Sequence, residues 1–311
     1  MTTLNTVIAA LSAIVLFLYG LEGFSRELQA AGALKLQSWL KKATANRWIG
    51  FLTGALATAV VQSSSATTAL AVSLVNASVI SFQGSIGILL GANVGTTVTA
   101  WLVSFKLTGI GPIFITLGAL FSALPFRIRI IGKAVFYFGL IFFALDLIAS
   151  GLEPLRDEPL FRQMVAHATA PWQGVLAGIV LTALVQSSSV TTGLGILLVQ
   201  QGILPPESVI PMVIGANVGS TSTALIASLS MSPVARSAAK ANVFFNFAGL
   251  LLFLPFLDAF SFRLISVFGD SAYAVAWSHM IFNLVIGVVF MLSMRLWLPI
   301  LRRWLHVDPM H

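Results

Sequence analysis

Long apolar segments separated by short polar connectors make up most of this chain, but two segments carry polar residues between apolar flanks. Uninterrupted segments such as Leu4–Ser25 and Ala134–Gly151 are long enough for transmembrane helices, since about 20 residues span a hydrocarbon core of about 30 Å. In the first exception, Ile49–Val61 and Ala66–Val79 would each form a helix only about 20 Å long. We therefore predict a re-entrant hairpin at each exception, formed by two half-helices that meet at a polar turn.

The two predicted hairpins are copies of one another. Segments 48–105 and 172–229 align without a gap at an offset of 124 residues, with 26 identities in 58 positions. Each copy contains Gln-Ser-Ser-Ser, which is followed 29 positions after its glutamine by Gly-Ala-Asn-Val-Gly. Glycine tolerates an unwound backbone, so the second motif predicts an interrupted transmembrane helix in each copy. The repeat indicates one structural unit that is built twice.

The predicted fold is an all-α polytopic membrane protein with two inverted-topology repeats. If each hairpin re-enters, one repeat crosses the membrane three times, and an odd number of crossings inverts the next copy. The predicted boundaries are 1–126 for the first repeat (hairpin 48–80, broken helix 85–105), 127–258 for the second (hairpin 172–203, broken helix 208–228), and 259–311 for an additional transmembrane helix and a cytoplasmic tail.

Composition and charge narrow the class of protein. The chain is 58% hydrophobic and only 9% charged, with a mean hydropathy of +0.96, which is typical of a membrane protein. The absence of cysteine excludes disulfides and thiol chemistry. The net charge of +7 fits the positive-inside rule better than nucleic-acid binding, because thirteen basic residues fall on one predicted side. Four fall on the other side: Lys106, Arg156, Arg162 and Arg263.

This charge bias predicts an integral membrane protein with its N-terminus outside and its C-terminus in the cytoplasm. The paired motifs resemble the type II sodium-dependent phosphate cotransporters, the Na/Pi cotransporter family, over about Leu4 to Leu298. For a bacterial member, this resemblance implies the plasma membrane, that is, the bacterial inner membrane. The resemblance implies inverted repeats, a phosphate site between the two hairpins, coupling to sodium and no other cofactor. Many bacterial relatives append a PhoU-like helical domain, which this bacterial member is expected to lack.

Residue chemistry and the resemblance together give the candidate site. Phosphate needs hydrogen-bond donors, which serine hydroxyls and the N-termini of half-helices can supply; the predicted serines are Ser63, Ser64, Ser65, Ser187, Ser188 and Ser189. No Arg or Lys lies in the predicted core, so co-bound sodium is expected to provide the positive charge. Sodium prefers oxygen ligands, for which the candidates are Gln62, Gln186, Thr67, Thr68, Thr191, Thr192, Asn93, Asn217, Thr96, Thr97 and Thr221.

Two acids inside predicted spans, Glu22 and Asp146, correspond at the 124-residue offset and are candidates for ion coupling. The leading hypothesis is a sodium-coupled transporter that moves inorganic phosphate by alternating access. Alternatives are transport of another oxyanion, coupling to protons, or an anion channel. We predict no enzymatic activity, because the sequence has no Gly-x-Ser-x-Gly elbow. The expected partners are phosphate, sodium and the lipid bilayer, without nucleic acid; homo-oligomerisation is left open.

Overall fold

The structure is a computed structural model, and it describes residues 3–42, 46–105, 109–124, 127–152, 170–269 and 271–307. Over these residues the chain is helical, with no β-strand. The helices in chain order are α1 (Thr3–Lys42), α2 (Arg47–Val61), α3 (Ser64–Asn76), α4 (Phe82–Ser104), α5 (Gly111–Ser122), α6 (Arg127–Leu152), α7 (Pro171–Val185), α8 (Ser188–Gln200), α9 (Pro206–Ala227), α10 (Pro233–Phe253), α11 (Leu257–Phe268), α12 (Ala272–Leu292) and α13 (Met294–Leu305).

Six helical segments within the described ranges are long and apolar enough to cross a membrane. The prediction of an all-α polytopic membrane protein is therefore confirmed. Three of the basic residues used to predict the orientation, Lys106, Arg156 and Arg162, lie outside the described residues.

Each Gln-Ser-Ser-Ser motif forms the turn of a helical hairpin. Helix α2 is followed by its C-cap, Gln62, whose backbone is left-handed with φ 55° and ψ 30°, and α7 is capped in the same way by Gln186 with φ 58° and ψ 24°. The next helix begins one residue after an extended serine, Ser63 or Ser187. The four helices have 15 or 13 residues. At about 1.5 Å per residue, none is long enough to cross a hydrocarbon core of about 30 Å.

The helices that carry Gly-Ala-Asn-Val-Gly are continuous, and the prediction of interrupted helices is wrong. Both α4 and α9 run through the motif without a break. A Cβ atom at Gly91 would overlap the Phe51 carbonyl oxygen of α2, and one at Gly215 would overlap the Val175 carbonyl oxygen of α7. The glycines therefore allow close contact between helices, as small residues do in membrane proteins. The contact recurs at Gly54, Gly91 and Gly95 and at the equivalent Gly178, Gly215 and Gly219.

The two hairpins enter the bundle from opposite ends of α4. The first hairpin ends at Asn76, shortly before α4 begins at Phe82. The second ends at Gln200, whose side-chain amide donates to the carbonyl of Ser104 at the other end of α4, at 3.2 Å. This opposite entry brings the two turns toward one another inside the bundle.

Helix boundaries differ from the prediction at both ends of the chain. Helix α1 is continuous for 40 residues, so the chain stays helical beyond the predicted span Leu4–Ser25, as far as Lys42. Near the other end, where one transmembrane helix and a tail were predicted within 259–311, α12 ends at Leu292 and a separate helix, α13, follows. Helix α13 carries Arg295 among other arginines, and such charges are costly inside a bilayer. A separate helix keeps them out of the transmembrane segment.

Candidate functional site

One cavity of about 490 Å³ lies between the two Gln-Ser-Ser-Ser turns. All eight residues of the two turns line this cavity, which we call the turn cavity. The other polar residues that line the turn cavity belong to α1, apart from Thr99 of α4. The residues that line it are Leu18, Leu21, Glu22, Phe24, Ser25, Arg26, Gln29, Gln62, Ser63, Ser64, Ser65, Thr99, Val185, Gln186, Ser187, Ser188, Ser189 and Val190.

Hydrogen bonds connect one turn to the other. The Ser65 hydroxyl donates to the backbone carbonyl of Gln186 at 3.3 Å. The Thr99 hydroxyl donates to the Gln62 side-chain oxygen at 2.9 Å and lies 3.4 Å from the Ser189 hydroxyl. Thr99 therefore contacts both copies of the motif, although it is not among the site residues predicted from the sequence. The signal that could have found it is the threonine at the equivalent position, Thr223.

Thr223 occupies the corresponding place beside the second turn, where its hydroxyl donates to the Gln186 carbonyl at 3.4 Å. The two threonines differ in their acceptors, since Thr99 bonds to a glutamine side chain. The two halves of the cavity are therefore similar in composition but not identical in hydrogen bonding.

The serines of each turn offer hydroxyl and backbone donors to the turn cavity. Ser64 and Ser188, the first residues of α3 and α8, are buried with 8% and 3% of their surface exposed. The first N–H groups of a helix have no partner within the helix, and they carry the positive end of its dipole. Ser63 caps α3 by accepting from the Ala66 N–H at 3.1 Å. Two helix N-termini at one cavity are a recurrent arrangement for binding an anion.

Helix α1 adds two charged side chains to the turn cavity, Glu22 and Arg26. Both side chains are exposed, so Arg26 lines the cavity from the protein surface and not from the core, where no Arg or Lys was expected. Arg26 reaches the cavity because α1 continues past Ser25, which places Arg26 one turn after Glu22. Ser25 holds α1 against the first hairpin by donating to the Val61 carbonyl at 3.2 Å, and Gln29 donates to the Ser25 hydroxyl at 2.9 Å.

The predicted threonine ligands of the two hairpins lie behind the turns and do not line the turn cavity. Thr67 and Thr68 donate to the carbonyls of Ser63 and Ser65, both at 3.1 Å. Thr191 accepts from Thr182 at 2.8 Å. The remaining one, Thr192, has a buried hydroxyl without a hydrogen-bond partner among the described residues.

The predicted ligands of the Gly-Ala-Asn-Val-Gly helices also do not line the turn cavity. Asn93 donates to the Asn246 side chain at 3.1 Å, and Asn217 donates to the Val213 carbonyl of its own helix at 3.1 Å. Because α4 and α9 are continuous, the backbone carbonyls of the motif are not freed for a cation. The threonines that donate to carbonyls of their own helices are Thr96, Thr97 and Thr221.

The two candidate acids lie in different places. Glu22 lines the turn cavity. Asp146 accepts a hydrogen bond from the Gly109 N–H at 3.0 Å, in the connection before α5, and is not among the residues of the cavity. The structure therefore brings together the six serines, both glutamines and Glu22, and it leaves Asp146 outside.

Two copies of a motif at one polar cavity in a helical membrane bundle are the features of the secondary-transporter class. The sequence model of the family described as Na+/Pi-cotransporter matches the chain twice, over residues 16–150 and 148–254. The protein belongs to the Na+/Pi-cotransporter family, which confirms the resemblance described from the sequence. This is a family of transporters and not of enzymes.

Three relatives illustrate the similarity of this chain to known sequences. The chain is 30% identical over 280 residues to "Uncharacterized protein YqeW" of Bacillus subtilis, and the aligned region covers 89% of this chain and 91% of the relative. It is 28% identical over 283 residues to "Putative inorganic phosphate export protein YjbB" of Escherichia coli, covering 90% of this chain and 52% of the relative. The human "Sodium-dependent phosphate transport protein 2B" is 31% identical over 137 residues, covering 40% of this chain and 20% of the relative. No solved structure matches the chain.

Proposed function

We propose that the protein is a sodium-coupled secondary transporter of inorganic phosphate and that phosphate binds in the turn cavity. The observation that carries this proposal is the meeting of two Gln-Ser-Ser-Ser turns at one cavity, each with the N-terminus of a half-helix. Hydroxyl groups, helix N-termini and one guanidinium are the groups that a phosphate oxygen accepts from.

The charge of the cavity wall supports a role for sodium. Arg26 and Glu22 are the two ionisable side chains among the lining residues that the structure describes, and their formal charges cancel. Phosphate carries between one and two negative charges near neutral pH, so a wall of zero net charge leaves the bound anion uncompensated. Removing an unpaired charge from water is costly, and a co-bound cation lowers that cost. Sodium bound together with phosphate would supply this charge.

The opposite entry of the hairpins supports alternating access. The first hairpin opens toward the start of α4 and the second toward its end, with the turn cavity between them. Small movements of the hairpins would then open the cavity to one side or the other, as proposed for inverted repeats in general. Arg47, Arg295, Arg302 and Arg303 gather near the start of α4. By the positive-inside rule, the end of the bundle at the start of α4 faces the cytoplasmic side of the plasma membrane. The N-terminus would then lie outside the cell and the C-terminus in the cytoplasm.

Coupling to protons is the second candidate, because Glu22 lies in the wall of the turn cavity and could carry a proton with the anion. Another oxyanion of similar shape, such as sulfate, is the alternative substrate. An anion channel is less favoured, since the turns contact one another through the bond from Ser65 to Gln186 and leave no open path at that point.

The test is uptake of radiolabelled phosphate by proteoliposomes that contain the purified protein. We expect an inward sodium gradient to drive accumulation and an equal choline gradient to leave phosphate at equilibrium. A pH gradient without sodium tests the proton alternative, and excess unlabelled sulfate tests the substrate. Accumulation driven by the pH gradient alone would reject sodium coupling. Phosphate flux equal to that of empty liposomes under every gradient, from protein that is folded and correctly inserted, would reject phosphate transport.

A further inference from the structure

A second cavity, separate from the turn cavity, lies between α13 and the start of the first hairpin. Its volume is about 860 Å³. We call it the arginine cavity, because four arginines line it, Arg47 of α2 and Arg295, Arg302 and Arg303 of α13. Its other lining residues are Gln83, Met294, Leu298, Pro299, His306 and Val307. None of the residues described as lining it is acidic.

Among the residues that the structure describes, no acidic side chain pairs with the arginines of this cavity. Arg302 donates to the side-chain oxygen of Gln83 at 3.3 Å, which is a neutral acceptor. Its Nε atom is buried without a hydrogen-bond partner among the described residues. Four guanidinium groups around one space repel each other unless an anion lies between them. The arrangement favours a ligand with a negative charge and several acceptor oxygens.

Helix α13 has three different faces. Met294, Leu298 and Leu301 are buried against the protein. At about 100° per residue, Arg295 and Arg302 lie next to this face, on the side of the arginine cavity. On the remaining side, Leu296, Ile300 and Trp304 are 76%, 69% and 67% exposed. A helix that presents arginines beside an exposed apolar face is typical of one that lies at a membrane surface.

We propose that the arginine cavity binds the headgroup of an anionic phospholipid, with its acyl chains along the exposed apolar face of α13. The phosphodiester would accept from the arginines, and Leu296, Ile300 and Trp304 would contact the chains. A free phosphate ion shares the headgroup chemistry but has nothing to place on that apolar face. Basic pockets at the membrane surface are known sites for anionic headgroups.

The site also connects α13 with two helices of the first repeat. Arg47 is the first residue of α2, and Gln83 belongs to the first turn of α4. A headgroup in the arginine cavity would therefore join α13 to the entrance of the first hairpin. The proposal does not depend on which anion the turn cavity binds.

The test is native mass spectrometry of the delipidated protein, titrated with phosphatidylglycerol or with phosphatidylcholine. We expect the wild type to bind phosphatidylglycerol at least tenfold more tightly, with a preference that falls as salt rises. Each arginine near the surface contributes about 1 kcal/mol to binding an anionic lipid, so the double variant Arg295→Gln, Arg302→Gln should lose roughly thirtyfold in affinity. The matched control is Arg129→Gln, Arg263→Gln, two exposed arginines outside the cavity, and it should change affinity less than about threefold.

Three outcomes would overturn the proposal. One is an equal affinity of the wild type for the two lipids, which needs no variant and holds even if a variant misfolds. Another is an equal loss of affinity in the control and in the Arg295→Gln, Arg302→Gln variant, which would indicate a general charge effect. The last is displacement of phosphatidylglycerol by millimolar inorganic phosphate, which would assign the cavity to a soluble anion.

Discussion

Replacing Gly91 with alanine tests whether the Gly-Ala-Asn-Val-Gly helices are packed or unwound. The new Cβ would overlap the Phe51 carbonyl and lie 3.0 Å from the Ala55 nitrogen, so α2 would have to move away from α4. Overpacking of this kind costs about 1–3 kcal/mol. Alanine otherwise stabilises a helix interior by about 1 kcal/mol relative to glycine. We expect a net loss of up to about 2 kcal/mol in the free energy of unfolding.

Fluorescence-monitored unfolding of the detergent-solubilised protein measures this loss. Gly32→Ala is the matched control, because Gly32 is a helical glycine with nothing within 4 Å of its added Cβ, and this variant should be neutral or slightly stabilised. Gly215→Ala should lose as much stability as Gly91→Ala, since it meets the Val175 carbonyl in the same way. Stability that is unchanged or raised in Gly91→Ala would refute the packing of α2 on α4, because an unwound segment accepts alanine.

Other changes test the turn cavity and the entry of the hairpins. Ser64→Ala and Ser188→Ala should each weaken calorimetric phosphate binding by about tenfold, or 1.4 kcal/mol, and their double mutant should be non-additive; wild-type affinity in both single mutants would contradict the shared site. Arg26→Gln should weaken phosphate binding, and Arg26→Lys should weaken it less, because lysine retains the charge; equal affinity of Arg26→Gln and wild type would exclude the guanidinium from the site. Single cysteines at Asn76 and Gln201 should react with an impermeant thiol reagent from opposite sides of oriented membranes, and labelling from the same side would contradict opposite entry.

The hairpins could be predicted from the sequence because helix length is a simple constraint. Half-helices of 15 and 13 residues are too short to cross a bilayer, and the polar turn between them was visible as Gln-Ser-Ser-Ser. The glycine motif was harder to interpret. Glycine suits both an unwound backbone and a close helix contact, and only the position of the neighbouring helix distinguishes the two. The partner of Gly91 is Phe51, which lies in a different helix and is not indicated by the local pattern.

The candidate site could be predicted in part. The six serines and both glutamines line one cavity, as the doubled motif indicated. Arg26 was missed because a basic residue after an apolar segment is usually a sign of membrane orientation. Whether such a residue lies in a loop or in a continuing helix depends on where the helix ends. Here α1 extends through Lys42, and Arg26 lies in the wall of the cavity.

Glu22 and Asp146 show where an internal repeat stops being informative. They correspond at the 124-residue offset, so the sequence gives no reason to prefer one of them. Helix α1 contacts the first hairpin through the bond from Ser25 to Val61, which places Glu22 at the turn cavity. Helix α6, the equivalent of α1, packs against α1 and α5, and Asp146 bonds to Gly109. Equivalent sequences therefore form equivalent helices but have different neighbours, and the charge at the cavity comes from one copy alone. A shared site between two copies can thus be inferred from the repeat, but its electrostatics require the packing of α1.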